Sequence, residues 1–160
     1  MTAARFVDTT RSVWAFIGDD IAVACPRCSS RAWVVPAVMD PDARILDDPR
    51  SPWSARRLSC VECGHSAAHS GTRVCTGGGV DPYFALPLWL RTTVRGNLLW
   101  AYSGEHLGTL EAFVSARVRE KPLDTGIRMT MIAKLPKWIK AAENRGAVLK
   151  GIARLRARLS

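Results

Sequence analysis

The sequence has few acidic residues and no long apolar run. Its 160 residues include 14 Asp and Glu against 23 Lys and Arg, which gives a formal net charge of +9. Residues 1–20 hold no apolar stretch of the length that a secretory signal or a membrane span requires. We therefore expect a soluble, cytoplasmic protein that does not associate with membranes and that forms about one domain.

Catalytic signatures are also missing. We find no paired carboxylates, no nucleophile beside a base and no cofactor motif. The glycine run TGGGVDP, residues 76–82, lacks the Lys and the Ser or Thr of a phosphate-binding loop, and it indicates a linker. His65 and His69 lie in HSAAHSGTRVC, which is typical of a loop or strand, so we interpret them as ordinary surface or edge residues. We interpret Cys75 as a small, partly buried apolar residue.

Five cysteines are present, and four of them form two C-x-x-C pairs, Cys25 with Cys28 and Cys60 with Cys63. An odd cysteine count without a sign of export argues against a disulfide framework. Each C-x-x-C turn can point two thiolates at one place, and four thiolates match the tetrahedral preference of Zn²⁺. The small residues that follow the pairs, Ser29 and Gly64, let the chain turn away.

The main alternatives for these cysteines are a redox pair and an iron–sulfur site. A thioredoxin-like redox site needs one C-x-x-C beside a βαβ pattern, whereas this chain has two pairs and no such pattern. An iron–sulfur site uses the same four ligands, and the sequence leaves it open. We predict one Zn²⁺. Because four thiolates leave no position for water, we expect this ion to be structural.

Strand-like runs surround both cysteine turns, and they predict a zinc ribbon over residues 20–76, with an N-terminal segment, 1–19, before it. Residues 38–55 form a long loop that is acidic at first and that we expect to be exposed. The pattern CPRC…CVECGH resembles the zinc ribbons of transcription factor TFIIB and of many bacterial proteins.

The downstream sequence DPYFALPLWLRTTVRGNLLWAYSGEHLGTLEAFVSARVRE, followed by LPKWIKAAENRGAVLKGI, resembles bacterial TFIIB-type zinc-ribbon proteins of unassigned function. The resemblance implies a structural Zn²⁺ at the four paired cysteines and no particular activity.

Residues 80–160 predict a β-hairpin followed by several helices, so that the fold class is α+β. LPLWLRTTV and LLWAY flank a turn at RGN. Apolar residues at helical spacing predict a helix over Glu105–Glu120, with Ser103 as its N-cap. PKWIKAAEN predicts a short helix, and RGAVLKGIARLRARL predicts a last helix capped by Asn144.

The positive charge is concentrated at one end of the chain. Residues 121–160 carry ten Lys and Arg against two acids, which is +8 of the net +9. The outer faces of the last two predicted helices carry Lys137, Lys140, Lys150, Arg154 and Arg158. Such side chains suffice for sequence-independent binding to phosphates. We therefore predict a zinc-stabilised nucleic-acid-binding or regulatory accessory protein, with DNA and RNA left open.

Two other functions fit the sequence. The ribbon or the amphipathic C-terminal helices could bind a protein partner, in which case an exposed apolar patch is expected. An enzyme in which the metal only stabilises the fold would need a deep polar pocket between the hairpin and the helices. The tryptophans of the hairpin, Trp89 and Trp100, fit either a packed core or a platform for stacked bases.

Overall fold

The computed structural model describes residues 5–8, 11–37, 51–71, 74–120 and 130–160, except for the side chains of Val118 and Glu120. The acidic part of the predicted loop, residues 38–50, lies outside the described residues, as do residues 121–129. In the described parts, helices and strands are mixed, and a four-stranded antiparallel sheet carries the four paired cysteines at one end. The predicted α+β class, with a cysteine ribbon, a hairpin and C-terminal helices, is confirmed.

The described elements follow each other along the chain as β1 (Arg5–Val7), α1 (Val13–Ile17), β2 (Ile21–Ala24), β3 (Arg31–Pro36), β4 (Arg56–Ser59), β5 (Ser66–His69), β6 (Leu90–Val94), β7 (Asn97–Ala101), α2 (Gly104–Ser115), β8 (Val118–Glu120), α3 (Lys137–Lys140), a 3₁₀ turn (Ala142–Asn144) and α4 (Arg145–Ala157).

The ribbon is an antiparallel sheet in the order β2-β3-β4-β5. Strand β3 buries one face because apolar Ala32 and Val34 alternate with less buried residues, and Leu58 of β4 lies on the same buried face. Strand β2 is buried on both faces, since Ile21, Ala22 and Val23 are all 0% exposed. Of the two ribbon histidines, His69 is the last residue of β5, and His65 directly precedes this strand. The cysteine turns connect β2 to β3 and β4 to β5, so each pair lies at the same end of the sheet.

The predicted hairpin is present as β6 and β7. Its two-residue turn consists of Arg95 and Gly96, which have φ angles of +48° and +78°. This left-handed pair matches the twist of the flanking strands. Asn97, which the sequence places in the turn, is instead the first residue of β7 and pairs with Val94.

The helix predicted over Glu105–Glu120 is shorter than expected. Helix α2 begins after Ser103, whose hydroxyl accepts a hydrogen bond from the His106 N–H at 3.2 Å, as predicted for the N-cap. The helix ends at Ser115, and residues 118–120 form β8. The prediction of a continuous helix is wrong because β8 pairs in parallel with β1, which comes from the start of the chain.

The C-terminal helices also differ in detail. The segment PKWIKAAEN splits into α3 and a 3₁₀ turn. Asn144 precedes α4 but makes no side-chain cap. Its amide instead donates to the Trp138 carbonyl at 2.9 Å and accepts from Arg95 at 2.8 Å. The predicted apolar face of α4 is confirmed, since Val148, Ile152 and Leu155 are all fully buried.

One hydrophobic cluster joins the described elements. It contains Phe16 and Ile17 of α1 together with residues of the ribbon, the hairpin, α2 and α4. Backbone hydrogen bonds continue the connection, because Ala22 of β2 bonds to both Trp89 and Tyr102 at 2.9 Å. The ribbon is thus bonded along β2 to the segments that flank the hairpin. No described helix is both long and apolar enough to cross a membrane.

Candidate functional site

The sulfur atoms of the four paired cysteines lie within 4.8 Å of one another. Cys25 Sγ is 3.7 Å from Cys63 Sγ, and Cys28 Sγ is 3.6 Å from Cys60 Sγ. A zinc–sulfur distance of about 2.3 Å in a tetrahedron corresponds to sulfur–sulfur edges of about 3.8 Å, whereas a disulfide bond measures about 2.0 Å. The cysteines are free thiols, and their spacing fits a tetrahedral metal ion with four sulfur ligands.

The two cysteine turns have the same local geometry. In the first turn, the Ser29 N–H donates to the Cys25 carbonyl at 2.9 Å, and in the second the Gly64 N–H donates to the Cys60 carbonyl at 3.0 Å. The two donor residues have left-handed φ angles of +62° and +72°. This conformation turns the chain back into β3 and β5 while the cysteines stay side by side. The local sequence C-x-x-C followed by Ser or Gly thus determines the position of each pair.

The cysteine cluster lies at the boundary between core and solvent. The first cysteine of each pair, Cys25 and Cys60, is 2% exposed, whereas Cys28 and Cys63 are exposed. Val61, inside the second turn, is 85% exposed. The outer part of the turns therefore has little apolar contact to hold it, and a metal ion bound by the four sulfurs would supply the missing constraint.

The thiols influence one another's ionisation. Hydrogen bonds from the backbone and the hydroxyl of Ser30 lower the pKa of Cys28 to about 6. A backbone hydrogen bond from His65 favours the thiolate of Cys63, but desolvation and hydrogen bonds with the other three cysteines outweigh it and raise the Cys63 pKa to about 12. Protons therefore leave the cluster in separate steps. A bound cation would stabilise all four thiolates together.

The other candidate ligands stay apart from this cluster. His69 Nδ1 accepts from the Gly71 N–H at 2.9 Å, and its ring contacts Tyr83 and Phe84 edge-on. Within the described part of the chain, the four paired cysteines are the one group whose atoms could jointly hold a metal ion. Cys75 is exposed, so its expected partial burial is wrong.

The predicted basic residues fall into two groups. Lys137 and Lys140 lie on α3, where Lys140 Nζ donates to the Ala133 carbonyl at 3.0 Å. On α4, Lys150 is exposed. The two arginines of α4 and its C-terminal end, Arg154 and Arg158, lie against the outer edge of the hairpin.

The arginines cover the carbonyls of an edge strand. Arg154 Nη2 donates to the Thr93 carbonyl at 3.2 Å, and Arg158 Nη1 donates to the Arg91 carbonyl at 3.4 Å. The Arg158 guanidinium also lies 4.6 Å above the Trp89 ring. In the described part of the chain, β6 forms a two-stranded sheet with β7, so one edge of β6 has no neighbouring strand. The two arginine side chains therefore donate to backbone carbonyls that point outward from this free edge.

One further arginine belongs to this surface. Arg31 of the ribbon donates to the Leu159 carbonyl at 2.9 Å. We call Arg31, Arg154 and Arg158 the basic face. Sequence analysis missed Arg31. Arg91 of β6 is also exposed, but it pairs with Trp100 in the hairpin, so its side chain lies on the face that points away from α4. No salt bridge joins the basic face to an acid among the residues that the structure describes.

Two arginines elsewhere on the described surface have acidic partners. Arg156, on another face of α4, pairs with Glu111 of α2. Arg11 pairs with Asp19 and with Glu105. The basic face thus differs from these sites in charge balance, and Arg156 provides a control from the same helix.

Comparison with known proteins gives no further indication of the function. It matches no protein-family model, and no curated protein or solved structure is significantly similar to it. Membership of the TFIIB-type zinc-ribbon proteins therefore stays a prediction from the CPRC and CVECGH patterns, and the function has to be inferred from the residues themselves.

Proposed function

We propose that the protein is a zinc-stabilised nucleic-acid-binding protein, in which the four paired cysteines hold one structural Zn²⁺ and the basic face contacts phosphates. The ion would tie the two cysteine turns together and would leave no coordination position for a substrate. The binding chemistry would then belong to the arginines.

Support for phosphate binding comes mainly from the orientation of the basic face. All three of its arginines use an N–H group to bond a backbone carbonyl, and this fixes the plane of each guanidinium. A guanidinium has five N–H donors, so others are left for a phosphate, which it matches in shape. Because these side chains are already ordered, binding a phosphate costs less conformational entropy.

The residue repeats along α4 and β6 match closely enough to place the positive charges in a row. Arg154 and Arg158 are one helical turn apart, which is about 6 Å along the axis. The carbonyls that they contact are two residues apart on β6, which is about 7 Å. Since the two repeats nearly match, α4 can follow the strand and present its arginines in line. This arrangement suits a linear polyanion.

Base stacking receives less support. One face of the Trp89 ring is covered by Arg158, and its indole N–H donates to the Arg158 carbonyl at 3.0 Å. Trp100 packs edge-on against Tyr102 at 5.0 Å. We therefore propose contacts to the sugar–phosphate backbone, with weak dependence on sequence.

Fluorescence anisotropy of labelled single-stranded DNA, duplex DNA and RNA, titrated with metal-loaded protein at several salt concentrations, tests this function. We expect affinity to fall linearly with salt on a log–log plot. The double variant Arg154→Gln/Arg158→Gln should reduce the magnitude of the salt slope by about 2 and weaken binding to every sequence similarly.

Arg156→Gln is the matched control, because Arg156 lies on the same helix but pairs with Glu111. It should leave the slope nearly unchanged. Absence of binding to all three nucleic acids at low salt would contradict the proposal, and so would an equal loss in the control variant. In either case an acidic protein surface would become the next partner to test.

The identity of the metal needs a separate measurement. Elemental analysis of the purified protein should find one zinc per chain, and replacement by Co²⁺ should produce the visible absorption of a tetrahedral thiolate site. The Cys75→Ser variant should bind the same amount of metal, whereas Cys60→Ser should not. Stoichiometric iron, or retention of metal by Cys60→Ser, would contradict a four-cysteine zinc site.

A further inference from the structure

A cavity of about 330 Å³ lies on the side of the hairpin that faces away from α4. Its apolar walls include residues of four elements, namely Val13 of α1, Leu98 and Trp100 of β7, Leu110 of α2 and Ile139 of α3. Strand alternation explains the position, because Leu99 of β7 points to α4 while its neighbours line the cavity. The volume is within the range of small-molecule sites.

A buried hydroxyl lies at the wall of this cavity. The Tyr102 side chain is fully buried, and its hydroxyl has no hydrogen-bond partner among the described residues. Burial is the main cause that raises the pKa of Tyr102 to about 12. The nearby Asp81 adds to this pKa shift, whereas the backbone of Gly77, which also lines the cavity, opposes it. The hydroxyl is therefore neutral at pH 7. A buried unpaired hydroxyl is unfavourable, so a ligand atom that accepts its proton would be stabilising.

His106 adds a second neutral donor. Its Nδ1 accepts the Tyr102 N–H at 3.1 Å, and its ring is stacked between Phe16 and Tyr102. Burial lowers the pKa of His106 to about 4, so the ring is neutral at pH 7. Because Nδ1 accepts a hydrogen bond, the proton of the neutral ring lies on Nε2.

The entrance carries a positive charge. Lys134 lines the cavity and is exposed to solvent, whereas no Asp or Glu is among the described residues that line it. The cavity thus combines apolar walls, neutral donors inside and a cation at its open side. This combination favours a molecule with an apolar body and an anionic acceptor group.

We propose that the cavity binds a small, mainly apolar carboxylate, whose body lies between Trp100 and Leu110 and whose acid group accepts a hydrogen bond from the Tyr102 hydroxyl. Lys134 supplies the compensating charge. The proposal depends neither on the metal nor on the basic face.

The test uses 2-naphthoate as the probe and the full metal-loaded chain. Binding is followed by the ¹H–¹⁵N indole resonance of Trp100, assigned with Trp100→Phe. We expect a saturating shift with a dissociation constant below about 1 mM. The neutral analogue 2-naphthalenemethanol should bind about tenfold more weakly, and acetate, which lacks the apolar body, should produce no shift.

Two variants test the contacts. Tyr102→Phe keeps the ring and removes only the hydroxyl, so the fold should persist, as circular dichroism can verify, while naphthoate affinity falls about tenfold. Leu110→Trp fills the cavity and should abolish binding. Lys137→Gln, which removes an exposed charge outside the cavity, should leave affinity unchanged.

Three acids of different shape, namely 2-naphthoate, benzoate and octanoate, guard against a poor choice of probe. Failure of all three to shift Trp100 at about 1 mM would overturn the proposal. Binding that is unchanged in Tyr102→Phe would also overturn it. Nucleic-acid binding by the Tyr102→Phe variant should equal that of the wild type, which separates this test from the test of the basic face.

Discussion

The two ends of the ribbon sheet are held by different forces. Towards the hairpin, Ile21, Val34 and Leu58 are at most 1% exposed and belong to the main hydrophobic cluster. At the other end, the cysteine turns project Val61 into solvent and contribute only Cys25 and Cys60 to that cluster. The inner end is thus stabilised by burial, and the outer end depends on ligation of the four sulfurs. A single sheet therefore combines a region that folds by packing with a region that needs a bound ion.

Removal of the metal should have the largest effect on the difference in stability between the two ends of the ribbon. Because structural zinc contributes several kcal/mol to folding, we expect chelation, or Cys60→Ser, to lower the melting temperature by about 10 °C or more. Hydrogen exchange measured by mass spectrometry should accelerate at the cysteine turns, residues 25–31 and 60–66, and change little in residues 21–23, 32–36 and 97–115. Cys75→Ser, which changes an exposed cysteine outside the cluster, is the control. Equal acceleration throughout would show that the two ends are not distinct.

Acidification should weaken the packed body through His106. Its pKa in the folded protein is about 4 against about 6.5 in the unfolded chain. Between these values the unfolded state binds more protons, so this contribution is complete above pH 6.5 and is lost as the pH falls towards 4. At about 1.4 kcal/mol per pH unit, the loss reaches about 3 kcal/mol.

His106→Asn isolates this contribution. An Asn oxygen can accept the Tyr102 N–H in place of Nδ1, and it does not titrate in this range. Urea unfolding at pH 4 to 7 should therefore show a shallower pH dependence in the variant, whereas loss of metal at low pH affects both proteins alike. Identical slopes would mean that His106 is protonated in the folded state.

A smaller perturbation tests the contact between α4 and the hairpin. A Cβ atom on Gly151 would lie 2.6 Å from Val94 Cγ2 and 2.9 Å from Leu99 Cδ2. Gly151→Ala should therefore push the helix from the hairpin and reduce the free energy of unfolding by about 1–3 kcal/mol. Gly108→Ala, inside α2 with open space around the new atom, should stabilise by up to about 1 kcal/mol. Chemical denaturation compares the two, and a stabilised Gly151→Ala would contradict this packing.

Features that depend on local sequence could be predicted. The spacing of the C-x-x-C pairs led to the cysteine cluster, and the alternation of apolar residues led to the ribbon strands and the hairpin. The buried face of α4 followed from helical spacing, because that face needs only one strip of apolar residues.

Features that depend on contacts between residues far apart in the sequence could not be predicted. The sequence 116–120 continues a helical pattern, but pairing with β1 converts its last residues into a strand. Asn144 has a typical capping side chain, yet Arg95 and Trp138 occupy its amide. The basic face brings Arg31 of the ribbon together with Arg154 and Arg158 at the end of α4, and no local sequence pattern predicts this contact.

The cavity had no sequence signal either. Tyr102 and His106 resemble ordinary core residues in the sequence. Tyr102, His106 and Lys134 line one cavity because residues 131–139 pack opposite β7. The basic face and the cavity therefore both depend on long-range contacts, even where each helix or strand could be predicted from local sequence.

The parallel pairing of β1 with β8 constrains the order in which the chain can fold. Arg5 pairs with Val118, so β1 leaves the ribosome long before its partner exists. The cysteine turns are much closer in sequence, and the ribbon strands can pair among themselves as soon as His69 has emerged. Closure of the long loop between β1 and β8 also carries a larger entropic cost. Strand β1 is therefore among the last elements to find its partner, and the newly made protein carries this strand unpaired until synthesis has passed residue 120.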